Sequence, residues 1–302
     1  MAVAGLLILA ACSSSSPAPT TSHGSAVRTL NIVVGENFWG SIVSQLAGKA
    51  GNVNSVISDP NADPHNYESS SDGARAFAGA DYVVVNGAGY DSWANKLLSG
   101  NPNSKRMVLS VADLLGKKEG DNPHFWYNPD FVAKVTDRIQ SDLTSLDPAD
   151  ASYFDAQRAA FDNAMRPYGS ALAAIKAAYS GTPVASTESI VVYLTQYLGL
   201  DLVSPPEFMQ AVSEGNDPPA ASVALFQQQI TTKQARVLLY NSQTSTAVTT
   251  NMKNLAGRAG AVTVPVTETV EPPQATFEQW FTGELTSLQV ALSAARASSQ
   301  KP

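Results

Sequence analysis

Tyr82-Val83-Val84-Val85 is a run that is apolar at every position, without the alternation of a strand that has one face in water. Such a run fits a strand buried on both faces, as in a parallel sheet covered by helices. Three neighbours share the pattern: Leu30 to Val34, Val53 to Ile57 and Met107 to Val111. Between them lie stretches with helical spacing, around Phe38 to Leu46, Ser70 to Phe77 and Trp93 to Leu98. Asn128-Pro129-Asp130 then offers an N-cap followed by Pro at the first helical position, and Val132, Val135, Ile139 and Leu143 continue on one face.

The same alternation returns after Gly181. Strands are expected near Pro183 to Ser186, Leu200 to Val203, Val237 to Tyr240 and Val262 to Val266, and helices near Ile190 to Tyr197, Pro219 to Thr231, Ser245 to Ala256 and Thr276 to Ala295. An alanine-rich helical stretch from 148 to 180 separates the two halves, with a kink or break expected at Pro167 and Gly169. The reading is α/β: two lobes, each a mostly parallel four-stranded sheet flanked by helices, joined by one long linker helix. Boundaries fall at 29–147, 148–180 and 181–302.

The first 28 residues read differently. Residues 1–11 are a short apolar run closing on Leu9-Ala10-Ala11, directly before Cys12, the single cysteine of the chain. The run is too short to span a bilayer and has the form of a signal peptide. No Lys or Arg precedes it, which points to a start upstream of Met1. Leu-Ala-Ala-Cys resembles a bacterial lipoprotein box, which implies that Cys12 is lipidated. The Ser/Pro/Thr segment that follows cannot bury enough apolar area to offset its ordering entropy. Residues 12–28 are therefore expected to be a tether carrying a solvated His23, and the body extracytoplasmic.

The 302 residues carry 19 Lys and Arg against 26 Asp and Glu, a formal net charge of −7, with no basic stripe. A nucleic-acid partner is therefore not expected. With 44% hydrophobic residues a core can form. There is no His-Glu-x-x-His helix, Gly-x-Ser-x-Gly elbow or phosphate-binding Gly loop. An enzyme is not expected, and a metal-dependent hydrolase is the weaker of two alternatives.

Ligands of open parallel sheets bind beyond the carboxyl ends of the strands. Four such places carry metal-competent side chains: Asp63-Pro64-His65-Asn66-Tyr67-Glu68, Asn122-Pro123-His124-Phe125-Trp126, Ser186-Thr187-Glu188-Ser189 and Val266-Thr267-Glu268-Thr269. A lone loop histidine is ordinarily solvated, and a lone Glu at a strand end ordinarily serves a helix N-terminus. Yet His65 and His124 are the only histidines beyond the tether, and each directly follows Pro. Two imidazoles and two carboxylates at the sheet mouths suit a divalent metal between the lobes.

Those segments, with Asn86-Gly87 through Asp91-Ser92-Trp93 and Ser213-Glu214-Gly215 leading into Pro218-Pro219, resemble the solute-binding lipoproteins of manganese and zinc ABC importers from Leu30 to the C-terminal helix. The resemblance implies a monomer that carries one metal as cargo to an ABC permease and its ATPase. It implies His65, His124 and Glu188 as ligands and Glu268 as the fourth, where the family usually has Asp; a residue near Asn241 is the alternative. Tyr67, Glu68, Asp91 and Asn241 are expected to orient the ligands rather than bind metal. The set suits Mn²⁺, Fe²⁺ and Zn²⁺, its oxygens tilting toward manganese and the Irving–Williams order toward zinc. Zinc members often carry a His-rich loop between the first two ligands, and 115–121 contains no histidine. That favours manganese and leaves zinc open. The other alternative is a surface adhesin or structural lipoprotein with a vestigial site.

Overall fold

The computed structural model describes residue 1 and residues 28–59, 67–68 and 70–299. The expectations for Cys12, the signal peptide, most of the tether and His65 lie outside the described residues. The first lobe contains β1 (Leu30–Glu36), α1 (Asn37–Ala47), β2 (Gly51–Ile57), α2 (Ser71–Gly79), β3 (Tyr82–Val85), α3 (Ser92–Gly100), β4 (Met107–Ser110), α4 (Val111–Leu115) and α5 (Pro129–Leu146). Two helices follow, α6 (Ala151–Ala164) and α7 (Arg166–Tyr179). The second lobe contains β5 (Pro183–Ser186), α8 (Val192–Leu198), β6 (Asp201–Leu202), α9 (Pro206–Ser213), α10 (Ala220–Thr231), β7 (Val237–Asn241), α11 (Ala247–Arg258), β8 (Val262–Val266) and α12 (Phe277–Ser299).

Each lobe is a sheet of four parallel strands, ordered β2-β1-β3-β4 in the first and β6-β5-β7-β8 in the second. Tyr82 to Val85 are all buried, which is why β3 reads as an unbroken apolar run: helices cover both of its faces. In both sheets the chain first moves to one side and then crosses to the other. A switch point therefore lies between β1 and β3 and between β5 and β7, and a crevice opens there at the carboxyl ends of the strands.

The connection over 148–180 is not one continuous helix but carries the break expected near Pro167. A 3-10 turn at Pro148–Asp150 leads into α6, and Met165 separates α6 from α7. Pro167 falls in the first turn of α7, where its missing N–H leaves no bond unmade, so the break comes ahead of it and Gly169 stays helical. The two pieces serve different lobes: α6 packs on α1, and α7 packs on α8 and α12.

One apolar cluster runs through both lobes. Its middle is aromatic: Phe38 stacks on Trp126 at 3.8 Å between ring centres, and Tyr127 meets Phe281 of α12 edge-on at 4.9 Å. Helix α12 also reaches α1 through polar contacts. The Phe277 N–H donates to Ser41 Oγ at 2.9 Å, and Gln45 Nε2 donates to Glu278 Oε2 at 3.0 Å. A helix of the second lobe is thereby pinned to the first. Among the described residues no helix is long and apolar enough to cross a membrane.

Candidate metal centre

His124 follows a proline and opens the 3-10 turn Phe125–Tyr127, which runs into the Asn128-capped start of α5. The Asn128 side chain accepts from the N–H groups of Asp130 and Phe131, as the cap signal predicts. With Phe125, Trp126 and Tyr127 all buried, the turn is fixed by packing and the imidazole shares its position. His124 meets Trp126 edge-on at 5.3 Å.

Asn122 sets the chemistry of the ring. Its Oδ1 accepts from the His124 backbone N–H at 3.0 Å and lies 2.7 Å from Nδ1, while its Nδ2 donates to Ser189 O at 2.8 Å. The last contact fixes which end of the amide is oxygen. An amide oxygen only accepts, so the ring proton sits on Nδ1 and the lone pair is left on Nε2.

Glu188 and Glu268 approach that nitrogen from the second lobe. Glu188 follows β5 and is held extended by Ser186, whose hydroxyl donates to Glu188 O at 2.7 Å. Glu268 follows β8, with its N–H donating to Gln243 Oε1 at 2.6 Å. Glu188 Oε1 lies 3.4 Å and Glu268 Oε2 3.3 Å from His124 Nε2, and all three side chains are 0% exposed. One donor atom from each falls within 4.8 Å of the others. The longer Glu at the fourth expected position thus reaches the centre.

The opposite oxygens of the two carboxylates meet one amide. Asn241 Nδ2 donates to Glu188 Oε2 and, at 2.8 Å, to Glu268 Oε1. Tyr90 OH donates to Glu268 Oε2 at 2.9 Å. Burial, and then the negative charge of Glu268, Glu36 and Glu188, push the Tyr90 hydroxyl well above its ordinary range, so it stays a donor. Asn241 therefore stands against both carboxylates.

The other expected supporting residues sit differently. Tyr67 packs edge-on against Trp93 at 4.9 Å, and Glu68 is exposed. Asp91 accepts from the N–H groups of Asn86 at 2.6 Å and Gly87 at 2.8 Å, so it shapes the turn after β3. That turn needs its glycine: Gly87 has φ +78°, and a Cβ there would lie 2.7 Å from Ala112 Cβ.

Gln243, which follows β7 and was expected beside Asn241 in support of the ligands, accepts from the N–H groups of Glu268 and Thr269, whereas Asn122, Tyr90, Glu36 and Glu284 were not singled out from the sequence. Glu36, at the end of β1, is fully buried, and neither carboxyl oxygen has a hydrogen bond among the described residues. Burial, and then Asp91, raise its pKa well above the usual carboxylate range. Glu284 of α12 holds the Glu268 loop. It accepts from Thr267 N at 3.0 Å, Tyr127 OH at 2.9 Å and Trp280 Nε1 at 3.1 Å. Burial pushes its pKa up to about 7, against the pull of those bonds. The strand-end rule that found Glu188 applies equally to Glu36, whereas the rest carry no local signal.

Beside the centre a cleft of about 590 Å³ opens between the lobes, lined by Tyr90, Asn122, Pro123, Ser189 and Met209 among others. Its wall thus includes Asn122 and Tyr90, which hold His124 and Glu268.

A family model described as zinc-uptake complex component A, periplasmic, matches residues 32–291. The manganese-binding lipoprotein MntA of Halalkalibacterium halodurans is 26% identical over 159 residues, 52% of this chain and 53% of that protein. The chain thus matches about half the length of that curated relative. Among solved structures, the periplasmic zinc-binding protein TroA of Treponema pallidum superposes with a TM-score of 0.74 at 13% identity, covering 87% of this chain and 99% of that one. The manganese-bound periplasmic metal-binding protein of Candidatus Liberibacter asiaticus gives 0.70 at 17% identity, covering 86% and 98%. At these identities the superpositions speak for the two-lobed fold.

Proposed function

The chain belongs to the family of the periplasmic zinc-uptake complex component A, and on that premise we propose that it captures a divalent transition metal, zinc or manganese, between its lobes and delivers it to a membrane permease powered by a cytoplasmic ATPase. One observation carries the reading: His124 Nε2 and the carboxylates of Glu188 and Glu268 converge in a fully buried crevice. Two carboxylates so close repel when ionised. A divalent cation between them and the imidazole lone pair removes that repulsion and satisfies three donors together.

The proposed ligands are His65, His124, Glu188 and Glu268, with Asn241 and Asn122 orienting them. Cargo binds to the neutral imidazole and the ionised carboxylates, so capture weakens as pH falls. The two lobes are bridged by α12 and by the shared aromatic core, which favours release by local movement of the Glu188 and Glu268 loops over wide hinge opening. This role is binding and transfer, with no bond made or broken in the cargo's carrier. Lipidation at Cys12 would keep the body beside the permease, and Cys12→Ser is expected to move the protein from the membrane fraction to the soluble one.

The test is to produce the full chain in medium supplied with zinc and manganese, and to measure bound metal by elemental mass spectrometry beside His124→Ala. About one metal per chain is expected, lost in the variant. An intact fold carrying no metal in either protein would remove the proposal.

A further inference from the structure

Asn241 does more than neighbour the candidate ligands, because its amide has only one way to face. Its Oδ1 accepts the Gln243 N–H at 3.0 Å, and a backbone N–H can only donate. The Nδ2 end is therefore turned into the crevice. There it holds Glu268 Oε1 at 2.8 Å and Glu188 Oε2 at hydrogen-bond range. The residue is 1% exposed at the end of β7, and its own N–H donates to Thr187 Oγ1 at 3.3 Å, so the amide is anchored from behind. Thr244 Oγ1 adds a second donor to Glu188 Oε2 at 3.3 Å.

With respect to Asn241 the two carboxylates are thus divided alike, while Glu268 Oε2 also accepts from Tyr90 OH at 2.9 Å. Each turns one oxygen, Glu188 Oε1 or Glu268 Oε2, toward His124 Nε2 and the other onto the Asn241 amide. A carboxylate whose second oxygen is tied to an N–H donor is poorly placed to chelate through both oxygens. We infer that Asn241 is a specificity-determining positioning residue that confines Glu188 and Glu268 to one-oxygen ligation and so tilts the site toward a four-coordinate zinc ion over manganese. The inference rests on the proposed capture of a divalent metal and adds a selection rule to it. Zinc is content with four ligands in a tetrahedron, whereas manganese favours six, rich in oxygen. Two one-oxygen carboxylates, His124 and one further ligand make the smaller number. The oxygen-rich composition that pointed to manganese from the sequence counts donor atoms that this amide withholds.

The first experiment needs no variant. The metal-free full chain is titrated with one equivalent of Co²⁺, whose visible bands are intense when the ion is four-coordinate and weak when it is six-coordinate. Intense bands are expected, and weak six-coordinate bands overturn the inference. The second measures Zn²⁺ and Mn²⁺ dissociation constants for the parent, Asn241→Ser and Asn241→Ala, with circular dichroism as the control on folding. The ratio of manganese to zinc affinity is expected to rise by roughly tenfold in both variants, the scale on which outer partners act on metal sites. A general loosening of the fold would weaken both metals together and leave the ratio in place, which counts against the inference. Should either variant fail to fold, the Co²⁺ spectrum of the parent decides. A parent chain that binds none of the three ions removes the capture reading itself, whereas binding with an unmoved ratio removes only the role of Asn241.

Discussion

The two sides of the candidate centre are held by different forces. On the first-lobe side, His124 sits on a turn whose next three residues are aromatic and buried, with Trp126 stacked on Phe38 and Tyr127 against Phe281. On the second-lobe side, Glu188 and Glu268 rest on hydrogen bonds with Ser186, Asn241, Gln243 and Thr244, with Glu284 behind them. Close-packed aromatic groups have few alternative arrangements, because any shift opens a void. Hydrogen bonds exchange with water at a net cost of only about 1 kcal/mol each. The imidazole side is therefore the fixed half of the site. The carboxylate side is the half that can loosen.

Four substitutions can break or sharpen that contrast, the largest effect first. His124→Ala removes a proposed ligand and is expected to weaken zinc binding beyond the roughly 10–100-fold that outer partners control; calorimetric titration showing a smaller loss would mean that the cargo sits elsewhere. Trp126→Ala opens a cavity on the fixed side and is expected to cost about 3–5 kcal/mol of stability. Urea unfolding checks this, and a loss near zero would show that packing does not hold the turn.

On the carboxylate side the order of effects should invert. Gln243 accepts from the N–H groups of Glu268 and Thr269, at 2.6 Å and 3.0 Å. Gln243→Ala is expected to lower zinc affinity roughly tenfold while costing only about 1–3 kcal/mol of stability. Equal behaviour of the Trp126 and Gln243 variants in both assays would erase the contrast.

The smallest effect concerns pH. Glu284 has a pKa near 7 in the folded chain and about 4.3 when unfolded, so between those values the folded state holds a proton that the unfolded state has released. Its contribution to stability is full below about pH 4.3 and is lost as pH rises toward about 7. Glu284→Gln keeps an acceptor for Thr267 and Trp280 but cannot titrate. Thermal unfolding from pH 5 to 8 is expected to show a shallower pH slope in the variant, and identical slopes would remove Glu284 as the titrating group.

Much of the fold was legible because its elements are local. β5 and β8 begin and end where their apolar runs do, and α5 starts at its Asn-Pro cap. α4 and α9 were not expected, and α4, at five residues, is too short to display a helical period. The helix break fell at Met165 because Pro167 is tolerated in a first turn, a choice that depends on where the next helix starts.

The centre divides along the same line. Glu188 and Glu268 could be named from the sequence because each stands just beyond a strand that its apolar run reveals, where ligands bind, and His124 because it precedes the Asn128-capped helix and follows Pro123. Tyr90 and Glu284 could not, since each acts through partners that lie far away in the chain: Tyr90 meets Glu268 across 178 residues, and Tyr127 meets Glu284 across 157. The sequence by itself determined which segments form strands and helices and which side chains able to bind metal stand at their ends. The tertiary structure alone decided which oxygen of each carboxylate faces the imidazole and which is tied to Asn241. Residue order records the candidate ligands, but the direction in which a carboxylate turns is set by donors from distant strands.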